Sequence, residues 1–397
     1  GPLIRLKEGQ RAKLHVSNAL DESTSIHWHG IILPENMDGV PGVSFPGIKA
    51  GESYHYEYDV QQSGTYWYHS HSGLQEQLGH FGPLVIDPAD GDIGADREHV
   101  IILSDWTFED PDEVFRNLKV AEGYYNYQQR TLGDTFDDIR RQGLAKTWQE
   151  RSMWNEMRMS ARDLLDVTGS TYTYLMNGRD NSTNWTALYK PGEKIRLRII
   201  NGSAMSFFDF RIPGLEMTVV SADGQPIKPV TVDEFRIGVA ETYDVIVTPK
   251  NDRPYTLFAE SMDRSGYVRG TLATELGQEA PVPELRPVPE RGMAAMGMSH
   301  EMGGMDMITT NEDQLGMDDH QEMSGGHGGH KAATQQRPSA PDLGIEHAPG
   351  GHGPGAAMIA RNPVSRLNEP GIGLENVDHR VLVYGDLIGA HPWPDDR

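Results

Sequence analysis

Cysteine is absent from the 397 residues. That excludes disulfides, thiolate metal ligands and cysteine nucleophiles, and leaves no pairing pattern from which to read a redox compartment. Basic charge is short as well: 35 Lys and Arg stand against 58 Asp and Glu, a formal net charge of −23. This sign argues against a nucleic acid or an anionic membrane surface as partner. No apolar run approaches the ~20 residues of a membrane span. The opening stretch GPLIRLKEGQ has no initiator Met, no basic leader and no apolar leader. It reads as the interior of a longer protein, with any targeting segment outside the chain.

Short runs of alternating apolar and polar residues, broken by Gly, Pro and Asn, fill most of the sequence. KIRLRIIN places Ile195, Leu197 and Ile199 on one face, and SADGQP carries the Asp-Gly of a tight hairpin at Asp223 and Gly224. Many short strands with turn signals between them predict antiparallel sandwiches. The strands also recur. EGQRAKLHVSNA aligns with PGEKIRLRIINGSA, matching Gly9, Leu14 and Asn18 to Gly192, Leu197 and Asn201. AGESYHYEYDV aligns with VAETYDVIVTP, matching Glu52 and Tyr54 to Glu241 and Tyr243, and GTYWYHSHS faces RPYTLFAES. A weak third match joins EHVIILSD from Glu98 to DHRVLVYGD from Asp378. The expected organisation is all-β, in tandem copies of one sandwich. Residues 1–90 form the first copy, without its opening strand. Residues 91–277 form the second, with a helical insertion at about 110–165. A linker rich in Met, His, Gly and Pro covers 278–375 and is expected to be weakly ordered. The start of a truncated third copy covers 376–397.

Two His-x-His pairs stand out in copy one: His27 and His29 in SIHWHG, and His69 and His71 in YHSHSG. Residues i and i+2 of a strand project from one face, so each pair points together, and neighbouring strands would bring four imidazoles to one place. Imidazole suits Cu, Zn, Fe and Ni. Copy two is expected to fill the matching strands with Phe, Ala and Glu (SFFDFR and LFAESM), so the histidines are not needed to build the sandwich. A satisfied core role is the bland alternative, and the repeat weakens it. His55 and His80 read as ordinary residues. Trp28 and Trp67 are expected to pack around the site.

HWHG and YHSHSG, with MDGVPG after the first, resemble the first two copper motifs of the multicopper oxidases, and most of all the bacterial copper-resistance branch of CopA-type periplasmic oxidases. The resemblance extends over both sandwich copies, the helical insertion and the Met/His-rich linker. It implies cupredoxin domains with Greek-key topology and a copper-dependent enzyme. Such an enzyme couples one-electron oxidation of Cu(I), phenols or other small reductants to the reduction of dioxygen to water. Carried over residue by residue, it implies His27 as a type 2 copper ligand and His29, His69 and His71 as type 3 ligands. These four are half of a trinuclear cluster. It also implies a catalytic, proton-relaying role for Asp38 in ENMDGVPG; the plainer reading is that Asp38-Gly39 makes a turn, and both can hold.

MAAMGMSHEMGGMDM packs Met293, Met296, Met298, His300, Met302, Met305 and Met307 into fifteen residues, and Met317 and Met323 follow. Thioethers select Cu(I), and the family resemblance points the same way; chance enrichment in a flexible linker is the plain alternative. Two further motifs expected of the family do not occur. AHPWPDDR has His391-Pro392 without a second histidine in register, and without cysteine a His₂Cys type 1 site is impossible in this chain. The chain alone is therefore expected to be inactive, a fragment of an oxidase. Two other readings stay open: a non-catalytic copper-sequestering protein, and a zinc site of four histidines, which the Met tract argues against.

Overall fold

The structure is a computed structural model that describes residues 1–156, 158–292 and 365–391. The Met and His residues of the tract, Met293 to Met323, lie outside the described residues.

The first six strands are β1 (Ile4–Lys7), β2 (Arg11–Ser17), β3 (His27–His29), β4 (Ser53–Asp59), β5 (Gly64–His69) and β6 (Phe81–Asp87). They make a four-stranded sheet in the order β1-β6-β5-β3 and a two-stranded ribbon, β2-β4. β1 runs parallel to β6 and the other pairs are antiparallel. Alternation decides what lies between the layers. Trp28, Tyr56, Tyr58, Tyr66, Tyr68, Leu84 and Ile86 turn inward and form an aromatic core.

Eleven more strands follow: β7 (Arg97–Trp106), β8 (Thr173–Met176), β9 (Trp185–Leu188), β10 (Ile195–Asn201), β11 (Phe208–Arg211), β12 (Met217–Ala222), β13 (Gln225–Val232), β14 (Glu234–Ile237), β15 (Thr242–Val247), β16 (Tyr255–Ser261) and β17 (Tyr267–Ala273). A six-stranded sheet, β13-β12-β15-β10-β7-β8, faces a five-stranded one, β14-β11-β16-β17-β9. The Asp-Gly hairpin joins β12 to β13, with φ of 46° at Asp223 and 74° at Gly224. Between β7 and β8 stand helices α1 (Pro111–Val120), α2 (Leu132–Gln142) and α3 (Leu144–Glu156). Asp110 caps α1 by accepting from Asp112 N, with Pro111 in the first turn, and Thr131 and Asp134 close a capping box on α2.

The repeat is visible in hydrogen bonds. Leu14 pairs with Tyr56 across β2 and β4, and its counterpart Leu197 pairs with Val245 across β10 and β15, in the same register. Asn18 donates from Nδ2 to the carbonyls of Glu22 and Ile48 and accepts from Leu20 N. Asn201 does the same with Ser206, Ile237 and Ser203 N. Asn18 N donates to Glu52 O, and Asn201 N to Glu241 O.

One detail of the expected match is corrected. β3 pairs with β5 and β11 pairs with β16, as the repeat requires. However, Phe208 and Phe210 face the core of their sandwich, as Trp28 does in the first. On the histidine face β11 therefore carries Asp209 and β16 carries Phe258 and Glu260, while Phe208 and Phe210 lie on the other face. A slip of one residue in a strand exchanges its faces, and sequence matching alone did not fix that phase. Asp209 is fully buried between Arg236 and Arg264, at 2.8 and 2.6 Å. Copy two thus holds ion pairs where copy one holds imidazoles.

The first sandwich docks on the second through the outer face of β5. Thr65 donates to Asp244 (2.6 Å) and accepts from Arg198 (2.8 Å), while Arg196 pairs with Asp244 at 2.5 Å and Arg198 with Glu98 at 2.6 Å. Trp67 packs with Ile102 and Ile200 beside this polar cluster. Residues 367–391 run along the second sandwich. They touch it by isolated bridges, Glu234 to Val381 and Ile227 to Gly389, and form no strand among the described residues.

Candidate metal centre

β3 and β5 build the site. His27 lies opposite His69 and His29 opposite Trp67 in the antiparallel register. Trp28 points the other way, into the aromatic core against Tyr56, so its expected place around the site is corrected. Trp67 does line it. Its ring stacks on His69 at 4.2 Å, with planes 8° apart, and tilts against His29 at 5.2 Å.

All four sequence-selected histidines come together. The ring of His27 lies 5.5, 5.4 and 4.8 Å from those of His29, His69 and His71. His29 Nδ1 faces His69 Nε2 at 3.3 Å. Ligand nitrogens of His27, His69 and His71 fall within 4.8 Å of one another.

The second nitrogens are held in place. His27 Nδ1 donates to the carbonyl of Asp38 at 2.8 Å, which leaves Nε2 as the free lone pair, and Asp38 Oδ1 lies 3.3 Å from the same nitrogen. The Asp38-Gly39 turn makes this contact possible. Gly39 has φ of 78°, and a Cβ there would stand 1.8 Å from the carbonyl oxygen of Ile26. The buried His69 puts Nδ1 2.7 Å from Glu76 Oε2, off the axis of a straight hydrogen bond. The backbone at His71 is fixed, its main-chain N–H donating to Ser25 Oγ at 2.9 Å. Gln75, buried, accepts from Thr24 and Ser70 and donates to Glu22, which pins the loop after β5.

Burial, reinforced by the neighbouring imidazoles of His69, His27 and His71, pushes His29 down to about 4. Burial also lowers His71, with His69 and His27 adding to it. These rings are neutral near pH 7 and offer lone pairs, as metal ligation requires. The donor set fits a borderline metal ion. His29 and Trp67 also border a cavity of ≈ 310 Å³ whose far wall is Asp223, Ala240, Glu241 and Thr242 of the second sandwich.

Sequence reasoning missed Glu76 and Gln75. Both sit in the HSGLQEQLGH stretch just after the second pair, and a carboxylate that close to a ligand pair was the available signal. His80 stands apart from the four rings and contacts Thr24 Oγ1 at 3.3 Å.

The profile described as Multicopper oxidase matches residues 1–91, and a second so described matches 97–277. Copper resistance protein A of Escherichia coli is 50% identical, over 100% of this chain and 68% of that protein. The chain belongs to the multicopper oxidase family. The Copper resistance protein A homolog of Pseudomonas syringae pv. tomato is 51% identical, over 100% of this chain and 67% of that protein. Among solved structures, the laccase from Botrytis aclada aligns with a TM-score of 0.53 at 29% identity, covering 72% of this chain and 50% of its own. As a multicopper oxidase, the chain is an oxidoreductase of cupredoxin-like, mostly β architecture, and its family implies copper as cofactor. No helix among the described residues is long and apolar enough to cross a membrane.

Proposed function

We propose that this multicopper oxidase chain supplies half of a trinuclear copper centre, with His27 as type 2 ligand and His29, His69 and His71 as type 3 ligands. The observation that carries the reading is the convergence of four imidazoles, three from β3 and β5 and His71 from the loop after β5, with His27 and His69 each backed by an oxygen at the ring nitrogen turned away from its neighbours. Copper bound there supplies electron storage and the reduction of dioxygen to water. The chain's own residues keep His29 and His71 neutral, orient His27 and His69 through Asp38 and Glu76, and wall the site with Trp67. Asp38 is proposed as the proton donor: its carboxylate is 38% exposed, yet reaches within 3.3 Å of His27 Nδ1. It thus touches both solvent and the site.

The substrates are proposed to be Cu(I) or phenolic and other small reductants, in copper resistance, in the periplasm. Electron entry needs a type 1 site, which a chain without cysteine cannot build. The thioethers between Met293 and Met323 are proposed to take up Cu(I). The division into 1–90, 91–277, 278–375 and 376–397 is kept as the proposed domain layout. The second reading is copper sequestration without turnover. The test is copper loading with EPR and oxygen uptake, on this chain and on a longer polypeptide that adds a His-Cys-His segment. The oxidase reading expects copper in both and oxygen uptake in the longer one, lost with His69→Ala. Copper in both without oxygen uptake would leave sequestration. Zinc in preference to copper would end both readings.

A further inference from the structure

We propose that His15 and His55 form a second metal site, a two-imidazole chelate for a borderline divalent cation such as Zn(II) or Cu(II), on the outer face of the β2-β4 ribbon. The two residues are direct cross-strand partners. Their ring centroids are 4.3 Å apart and their Nδ1 atoms 3.2 Å apart. Two nitrogens at that separation, each 2.0–2.1 Å from a shared ion, subtend about 100° at the ion, between square-planar and tetrahedral geometry. One ion can therefore be held without moving either strand.

The far nitrogen of His15 has its own partner. Ser17 Oγ lies 3.1 Å from His15 Nε2 and 2.9 Å from Ser53 Oγ, the next cross-strand pair on the same face. With Nε2 donating to that hydroxyl, the Nδ1 lone pair of His15 is aimed at His55, the backing that metal-bound imidazoles use. Metal binding takes the Nδ1 lone pair of both rings, so the proton that lies between the two Nδ1 atoms in the free pair leaves to solvent.

Both histidines are exposed, which leaves the remaining coordination positions to water. The neighbouring charges are already matched: Glu57 pairs with Arg11 at 2.9 Å and with Lys13 at 3.0 Å. The pair is on the ribbon, while the His27 centre is on the four-stranded sheet.

The test is Zn(II) binding by equilibrium dialysis and calorimetry on the whole chain, on H15A/H55A, and on H27A/H69A/H71A. The expected result is one bound equivalent fewer in H15A/H55A, that equivalent retained in H27A/H69A/H71A, and a severalfold weaker affinity with unchanged stoichiometry in Ser17→Ala. Equal stoichiometry and affinity in the wild type and a folded H15A/H55A would overturn the proposal and leave the pair a hydrogen bond only. Anomalous scattering at the zinc edge from the unmodified protein decides independently of variant folding: a peak between the two Nδ1 atoms supports the site, and an empty position at saturating zinc overturns it.

Discussion

Asp38 and Glu76 back the two opposed histidines of β3 and β5, and Glu76 makes a separable prediction. Glu76→Gln keeps a polar group near His69 and removes the charge. Copper affinity should fall ~10–100-fold, as for other partners of metal-bound imidazoles, in competition titrations with a chelator. An unchanged affinity would reduce Glu76 to a loop contact. Gly39→Ala drives a methyl into the Ile26 carbonyl at a positive φ. It should cost about 2–4 kcal/mol in urea unfolding and weaken copper binding through His27. His29 sets a pH dependence for the copper-free protein. Its folded value, about 4, lies below the unfolded 6.5, so between those limits the unfolded chain binds more protons. Stability should therefore fall as pH drops from 6.5 towards 4, and His29→Gln should flatten the fall, read from urea midpoints across that range.

Strands carry most of what was legible. Period-two alternation and Asp-Gly turns placed the sandwiches, and Gly9, Leu14, Asn18 and Glu52 found their structural counterparts because each meets a backbone requirement that both copies share. The phase of β11 against β3 was not legible. SIHWHG and SFFDFR match in composition, but which residues face inward is decided by the partner strand, whose register no local sequence fixes. Trp28 was misplaced for a different reason: alternation within β3 alone puts it on the face opposite His27 and His29. Where the first sandwich docks on the second, Asp244 of β15 sits fully buried with Arg196 and Arg198 of β10 and accepts from Thr65 of β5. Asp244→Ala removes the acceptor that the two buried guanidinium groups share, leaving Arg196 with Asp92 and Arg198 with Glu98, and should destabilise the chain by about 3 kcal/mol in denaturant unfolding. A loss under 1 kcal/mol would mean that water or a neighbouring carboxylate compensates.

At the scale of the molecule, the proposed metal centre sits on the outer face of a sheet, beside the surface through which that sheet docks on the second sandwich. The convergence of His27, His29, His69 and His71 was readable because His-x-His on neighbouring strands needs only alternation and adjacency. Glu76 was not, because it comes from a loop whose path depends on Gln75 and its buried partners. The central claim is that these four histidines hold copper. The most direct measurement is X-ray diffraction at the copper absorption edge from crystals of the copper-loaded protein. The account predicts an anomalous peak at ~2.0–2.1 Å from ring nitrogens of at least two of His27, His29, His69 and His71. Copper bound elsewhere in the protein, with no peak among these four rings, would contradict it.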